Sequence, residues 1–131
     1  MNLPERFPPD DPREWINRAR SDLTQATNEV PGVYIESLCF NAQQAAEKAI
    51  KAVMISRNIE FPFVHDLDYR LSLLEDKGEV IPAPIQQASK LTKYAAITRY
   101  PGDIDPVTSQ EYNEAIAIAE AVLHWAKERI R

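Results

Sequence analysis

The stretch "QQAAEKAIKAVM", Gln43 to Met54, decides how the rest of the chain is read. It mixes paired glutamines, a Glu-Lys pair and a second lysine with alanines and aliphatics. It lies inside a run, residues 33–57, that contains neither Pro nor Gly. Over that run Ile35, Leu38, Cys39, Ala42, Ala46, Ala49, Ile50 and Val53 fall within an arc of about 120° at the ~100° per residue of an α-helix. One long helix with a strong apolar face is the expectation. Measured from Ile35, the residues Phe40, Gln44, Glu47, Lys48 and Lys51 stand on the far side, at about 120–220°. Two readings are open for that side: a solvated surface with Glu47 and Lys51 paired at i,i+4, or, as the aromatic among those polar groups suggests, a side covered by a neighbouring helix or a second copy of the chain, with glutamines bonding across the contact. The alanines at 42, 45, 46 and 49 leave room for close helix approach on the core side.

Working outward, residues 1–11 with Pro4, Pro8 and Pro9 read as an irregular arm, because proline removes backbone donors and restricts the residue before it. Asp11 is then a good N-cap, Pro12 suits the first helical position, and Glu14 would complete a capping box. Trp15, Ile16, Ala19, Leu23 and Ala26 carry a first helix to about residue 29, where Pro31-Gly32 breaks it. Leu67, Leu71 and Leu74 mark a short third helix ending near Gly78. Pro82 and Pro84 open a fourth that carries Ile85, Ala88, Leu91, Thr92, Ala95 and Ala96 until Pro101-Gly102. Thr108 and Glu111 form a capping box for the last helix, striped by Tyr112, Ala115, Ile116, Ala119, Val122, Leu123, Ala126 and Ile130. No segment alternates with period two. The expected architecture is all-α: an antiparallel, up-and-down bundle of four or five helices in one domain, residues 12–131.

With 131 residues the chain is the size of one ordinary domain. A net charge of −5 argues against a broad cationic surface for long nucleic acid. Local basic patches are a separate matter. Residues 41–100 carry eight Lys or Arg against seven Asp or Glu, whereas residues 1–40 have four against seven and residues 101–131 have three against six. Any anion site belongs in the middle. The single cysteine, Cys39, forms no intramolecular disulfide, no signal-peptide pattern opens the chain, and no apolar run approaches the ~20 residues of a membrane span. A cytoplasmic location is expected. There is no metal-ligand spacing, no glycine-rich phosphate loop and no Ser-nucleophile motif, so no metal and no cofactor is expected.

Four segments in order carry a resemblance to a known family: "RSDLTQAT" at 20–27, "FNAQQAAEKAIKAVM" at 40–54, "HDLDYRLSLL" at 65–74 and "YAAITRYP" at 94–101. Together they resemble the prokaryotic HEPN domain family, over about residues 12–130. The resemblance implies a helical bundle like the substrate-binding domain of aminoglycoside nucleotidyltransferases. It further implies a homodimer and a minimal nucleotidyltransferase as partner, in toxin–antitoxin or nucleotide-handling pairs. Many members are metal-independent ribonucleases with an Arg-x4-6-His motif, in which His activates the 2′-hydroxyl and Arg stabilises the phosphate. Here Arg99 is followed by Tyr100, Pro101, Gly102, Asp103, Ile104, Asp105 and Pro106, with no histidine. Within the family it resembles, the branch described as binding nucleotides fits these residues better.

On that reading Arg99, Tyr100, Tyr94, Lys48 and Lys51 are the candidates for nucleotide or anion binding, since a guanidinium fork suits phosphate and aromatic rings suit bases. Phe40, Gln44 and Glu47 are the candidate interface. Arg99 and His65 are the weak catalytic candidates, as a lone histidine beside Asp66 has several structural roles open to it. Two alternatives stand beside this reading: a ribonuclease toxin whose histidine comes from elsewhere, such as His65 across a dimer, and an assembly module without catalysis.

Overall fold

The computed structural model describes residues 2–60, 66–96 and 105–130, and every described element is helical. The elements are α1 (Pro12–Thr27), α2 (Ile35–Ser56), α3 (Leu67–Asp76), α4 (Ala83–Gln86), a 3-10 segment (Gln87–Ala96) and α5 (Ser109–Arg129). α1, α2 and α5 pack mutually, with α3 and the 3-10 segment closing the remaining side of α2. The core runs along α2, where Cys39, Ala42, Ala45, Ala46, Ala49, Ile50, Ala52, Val53 and Met54 are all fully buried. Alanine is the smallest side chain with good helix propensity, so this composition lets two neighbours approach one helix at once. The all-α bundle expected from spacing is therefore present, and α2 is its spine.

Local chemistry sets the ends. Asp11 accepts from the backbone N–H of Arg13 at 2.9 Å and starts α1. The capping box expected from Glu14 does not form. Glu14 instead accepts from the N–H of Phe7 at 2.9 Å and from Arg18 Nε at 2.7 Å, because the N-terminal arm folds back along α1. The arm is held there by further bonds, Asn17 Nδ2 to the Glu5 carbonyl at 2.8 Å and Trp15 Nε1 to the Pro9 carbonyl at 2.7 Å. At α5 the box expected from Thr108 and Glu111 is complete in both directions, each bond 3.1 Å. Tyr112 Oη then donates to the Ala26 carbonyl at 2.6 Å, tying the start of α5 to the end of α1. At the other end Arg57 donates to Glu79 at 2.6 Å and Arg129 stands 3.8 Å from the same carboxylate, so one acid joins α2 and α5. α3 stops at Gly78, whose φ of +93° is a conformation that side chains disfavour.

The fourth helix departs from expectation. Only Ala83–Gln86 is α-helical, and the chain then tightens into ten residues of 3-10 helix. The reason lies in what is buried: Ile85, Ala88, Leu91 and Tyr94 follow each other at intervals of three and are each at most 3% exposed. A 3-10 winding of about 120° per residue stacks that set on one line. An α winding would bury Thr92 and Ala95 in place of Leu91 and Tyr94. Exchanging a leucine and a tyrosine for a threonine and an alanine forfeits about 2–4 kcal/mol of apolar burial, which outweighs the poorer hydrogen bonds. The expected stop at Pro101-Gly102 lies outside the described residues.

Removing the Thr108 cap gives a direct check on α5. Thr108→Ala is expected to lower unfolding free energy by about 1 kcal/mol in urea denaturation, with Thr108→Ser close to wild type. An alanine variant as stable as wild type would mean that the box does not contribute.

Candidate functional site

The far side of α2 is covered by the chain itself. Glu47 is 8% exposed and Gln43 is fully buried, while Phe40, Gln44, Lys48 and Lys51 are half-buried. Helical geometry explains Gln43: it stands about 80° from Ile35, at the border between the apolar arc and the polar one. From α3, Arg70 enters the same region, buried, with Nη2 at 3.7 Å from Glu47 Oε1. That separation is within ion-pair range and longer than a hydrogen bond. Gln44 Nε2 donates to Gln43 Oε1 at 2.7 Å and lies 3.4 Å from Glu47 Oε2, and Gln43 Nε2 lies 3.5 Å from Glu47 Oε1. The two carboxamides thus lean on the carboxylate from one side and the guanidinium from another.

From α1, two residues complete the cluster. Lys48 Nζ is bonded to Asp22 at 2.6 Å, and Lys51 Nζ sits 3.7 Å above the Trp15 ring. Trp15 is fixed in turn by its bond to Pro9, so the arm helps to set where Lys51 stands. Burial, and then the charge of Arg70, pull the Lys51 ammonium below the ordinary lysine range, with Glu47 acting in the opposite direction. Burial likewise lowers the Arg70 guanidinium while Glu47 raises it. Arg70 stays a cation all the same, since arginine does not deprotonate in proteins. Among the described residues, Lys48, Lys51 and Arg70 therefore meet the carboxylates of Glu47 and Asp22 in a partly desolvated setting. Such a set can hold an anion at its edge, because each positive group is oriented by its neighbours before any ligand arrives.

The residues expected to act divide into three groups. Lys48, Lys51, Gln44 and Glu47 come together, with Phe40 packed half-buried against the core beside them. Tyr94 is elsewhere: only 3% exposed, its ring is packed into the core under the 3-10 segment and has little face to offer a base. Arg99, Tyr100 and His65 lie outside the described residues. Spacing does not single out Arg70 and Trp15 as site residues, although a signal for Arg70 exists. It stands three residues after Leu67 and four before Leu74, on the face those leucines bury.

Among the described residues no group of His, Cys, Asp and Glu could hold a metal ion, and no helix is long and apolar enough to cross a membrane. Two open grooves lie away from the cluster. One, of about 410 Å³, runs between the 3-10 segment and α5; the other, of about 450 Å³, lies between the α1–α2 turn and the start of α5.

A family model described as the HEPN domain matches residues 12–130. The chain belongs to the HEPN domain family. Among solved structures it is similar to ST0689, an archaeal HEPN homologue, at 31% identity over 92% of this chain and 98% of that one, with a TM-score of 0.73. It is also similar to TT1696 from Thermus thermophilus, at 32% identity over 90% and 97% of the two chains and a TM-score of 0.76. No curated protein matches. The resemblance carried by the four quoted segments points to this same family, and the helical bundle agrees with it.

One turn before Gln43, α2 of the HEPN domain presents Cys39 to Tyr94. Burial first, then Glu36 and Glu111, push the Cys39 thiol from 9.0 up to about 11. Burial first, then Cys39 and acidic neighbours on α5, push the Tyr94 phenol from 10.0 up to about 12. Both groups are held neutral, so the unfolded chain releases these protons at lower pH than the folded one. Their contribution to stability is present in full below pH 9 and is lost as pH rises between about 9 and 12. Urea midpoints measured across that range are expected to fall with pH in wild type and to fall less steeply in Tyr94→Phe. Identical slopes would contradict the coupling.

Proposed function

We propose that this HEPN domain is a dimeric module that binds a nucleotide or an RNA end and works with a minimal nucleotidyltransferase as partner. The observation that carries the reading is the gathering of cations on one side of α2, Lys48, Lys51 and Arg70, beside Glu47, Asp22 and two carboxamides. Phosphate is the ligand such a set suits, and glutamine amides suit the polar edge of a base or sugar. The acidic remainder of the chain favours a small or terminal ligand over long nucleic acid. Arg99, with no histidine in the seven residues after it, supports binding over cleavage. Phe40, beside Gln44, is the aromatic on which a second copy would close.

Titration calorimetry with ATP, AMP and a short 5′-phosphorylated RNA tests the reading, alongside light scattering for the dimer. Wild type is expected to bind at least one of them. Lys51→Gln and Arg99→Ala are each expected to weaken that binding about tenfold to a hundredfold, the loss of one charge-assisted contact of about 1.5–3 kcal/mol. Unchanged affinity in Arg99→Ala removes that residue from the site; absence of binding by wild type to all three ligands overturns the proposal.

A further inference from the structure

The 3-10 segment Gln87–Ala96 is ten residues long, although runs of this winding beyond about three or four residues are uncommon. Its sequence, QASKLTKYAA, contains no Pro or Gly and is rich in Ala, Leu, Lys and Gln, all good α-helix formers. Local preference and observed winding therefore disagree. What holds the tighter winding is tertiary: Leu91 and Tyr94 in the core, Tyr94 against Cys39, and the Thr92 hydroxyl accepting from the first-turn N–H of Leu67 at 3.2 Å.

The same segment carries a second apolar line. Counted from Ile85 at about 100° per residue, Ala88, Thr92 and Ala95 face the core and Tyr94 stands about 180° away. At about 120° per residue Tyr94 returns to the line of Ile85. Rewinding would turn Tyr94 by about half a revolution and Thr92 by about 140°, breaking both contacts, and would shorten the ten residues by about 5 Å. Leu91 and Tyr94 also line the groove of about 410 Å³ against Glu111, Ala115 and Ile118 of α5. Cys39 lies beneath that wall, fully buried.

We propose that residues 87–96 are a two-state device: the 3-10 form seals the core with Tyr94 over Cys39, and an α-helical form swings Tyr94 outward and opens the groove against α5 as far as Cys39. The device goes beyond the nucleotide reading and does not depend on it. The Thr92–Leu67 bond is the latch of the closed form. Mutually exclusive burial of Tyr94 or of Ala95 is the bistable element, since packed cores switch between discrete arrangements.

Cys39 reports the open form, because a thiol reagent reaches it only when Tyr94 leaves. In wild type, labelling by an aromatic disulfide is expected to depend weakly on urea at low concentration, the mark of a local opening. Thr92→Val removes the latch at constant shape and adds an apolar group to the alternative line, so labelling is expected to quicken at least tenfold. Ala95→Gly disfavours the α form and is expected to slow labelling about fivefold. Simple fraying would make Ala95→Gly faster instead, and that result overturns the proposal. So does labelling whose urea dependence equals that of global unfolding in wild type, a measurement that stands even if a variant fails to fold.

Discussion

The ion pair between Glu47 of α2 and Arg70 of α3 is the constraint on which the remaining arrangement depends. Both side chains are largely removed from water, at 11% and 7% exposure, so neither charge can rely on solvent. Taking either out of water alone costs several kcal/mol, and at 3.7 Å each offsets the other's penalty through Coulomb attraction. Together with the buried Leu67, Leu71 and Leu74, the pair joins α3 to the bundle beside α2. That contact in turn sets the position of Leu67, whose N–H bonds to Thr92 and so aligns the 3-10 segment.

This arrangement follows from how little of α2 is left to water, since Gln43 and Glu47 are buried and Phe40, Gln44, Lys48 and Lys51 are half-buried. α1, α5, the 3-10 segment and α3 pack around it, with Arg70 of α3 and Asp22 and Trp15 of α1 on its polar side. A helix enclosed in this way can carry polar groups only if each finds a partner within the chain. Gln43, Gln44, Glu47, Lys48 and Lys51 do so through one another and through Arg70, Asp22 and Trp15. The groups proposed to meet an anion are thus the same groups that allow the spine to be buried. Structure and proposed binding draw on a single cluster, oriented in advance of any ligand.

Much of the fold is legible in spacing. The apolar arc of α2, the stripe of α5 and the Thr108–Glu111 box are local patterns, and local patterns survive folding when the partner face is any apolar surface. What spacing does not show depends on distant residues. Glu14 stands at the right distance from Asp11 for a box, yet the returning arm supplies the Phe7 N–H as a competing donor. The fourth helix reads as α because propensity is summed residue by residue, whereas its winding is decided by which side chains the core accepts. Of the candidate site, the polar side of α2 is visible as a set; its intramolecular partners are not, since Arg70 has to be brought in from another helix. Tyr94 reads as outward by α periodicity and is inward by 3-10 periodicity. Arg99, Tyr100 and His65 lie outside the described residues.

A double-mutant cycle on the pair that anchors α3 tests this account most directly. Urea denaturation of Glu47→Leu, Arg70→Met and the double variant gives the coupling between the two positions. Each single change is expected to cost about 3 kcal/mol or more, because it takes the opposite charge away from a buried one, while the double variant should recover about 2 kcal/mol of the summed loss. Losses that add within about 0.5 kcal/mol would mean that the two charges are independent, and that the polar side of α2 is not organised by them.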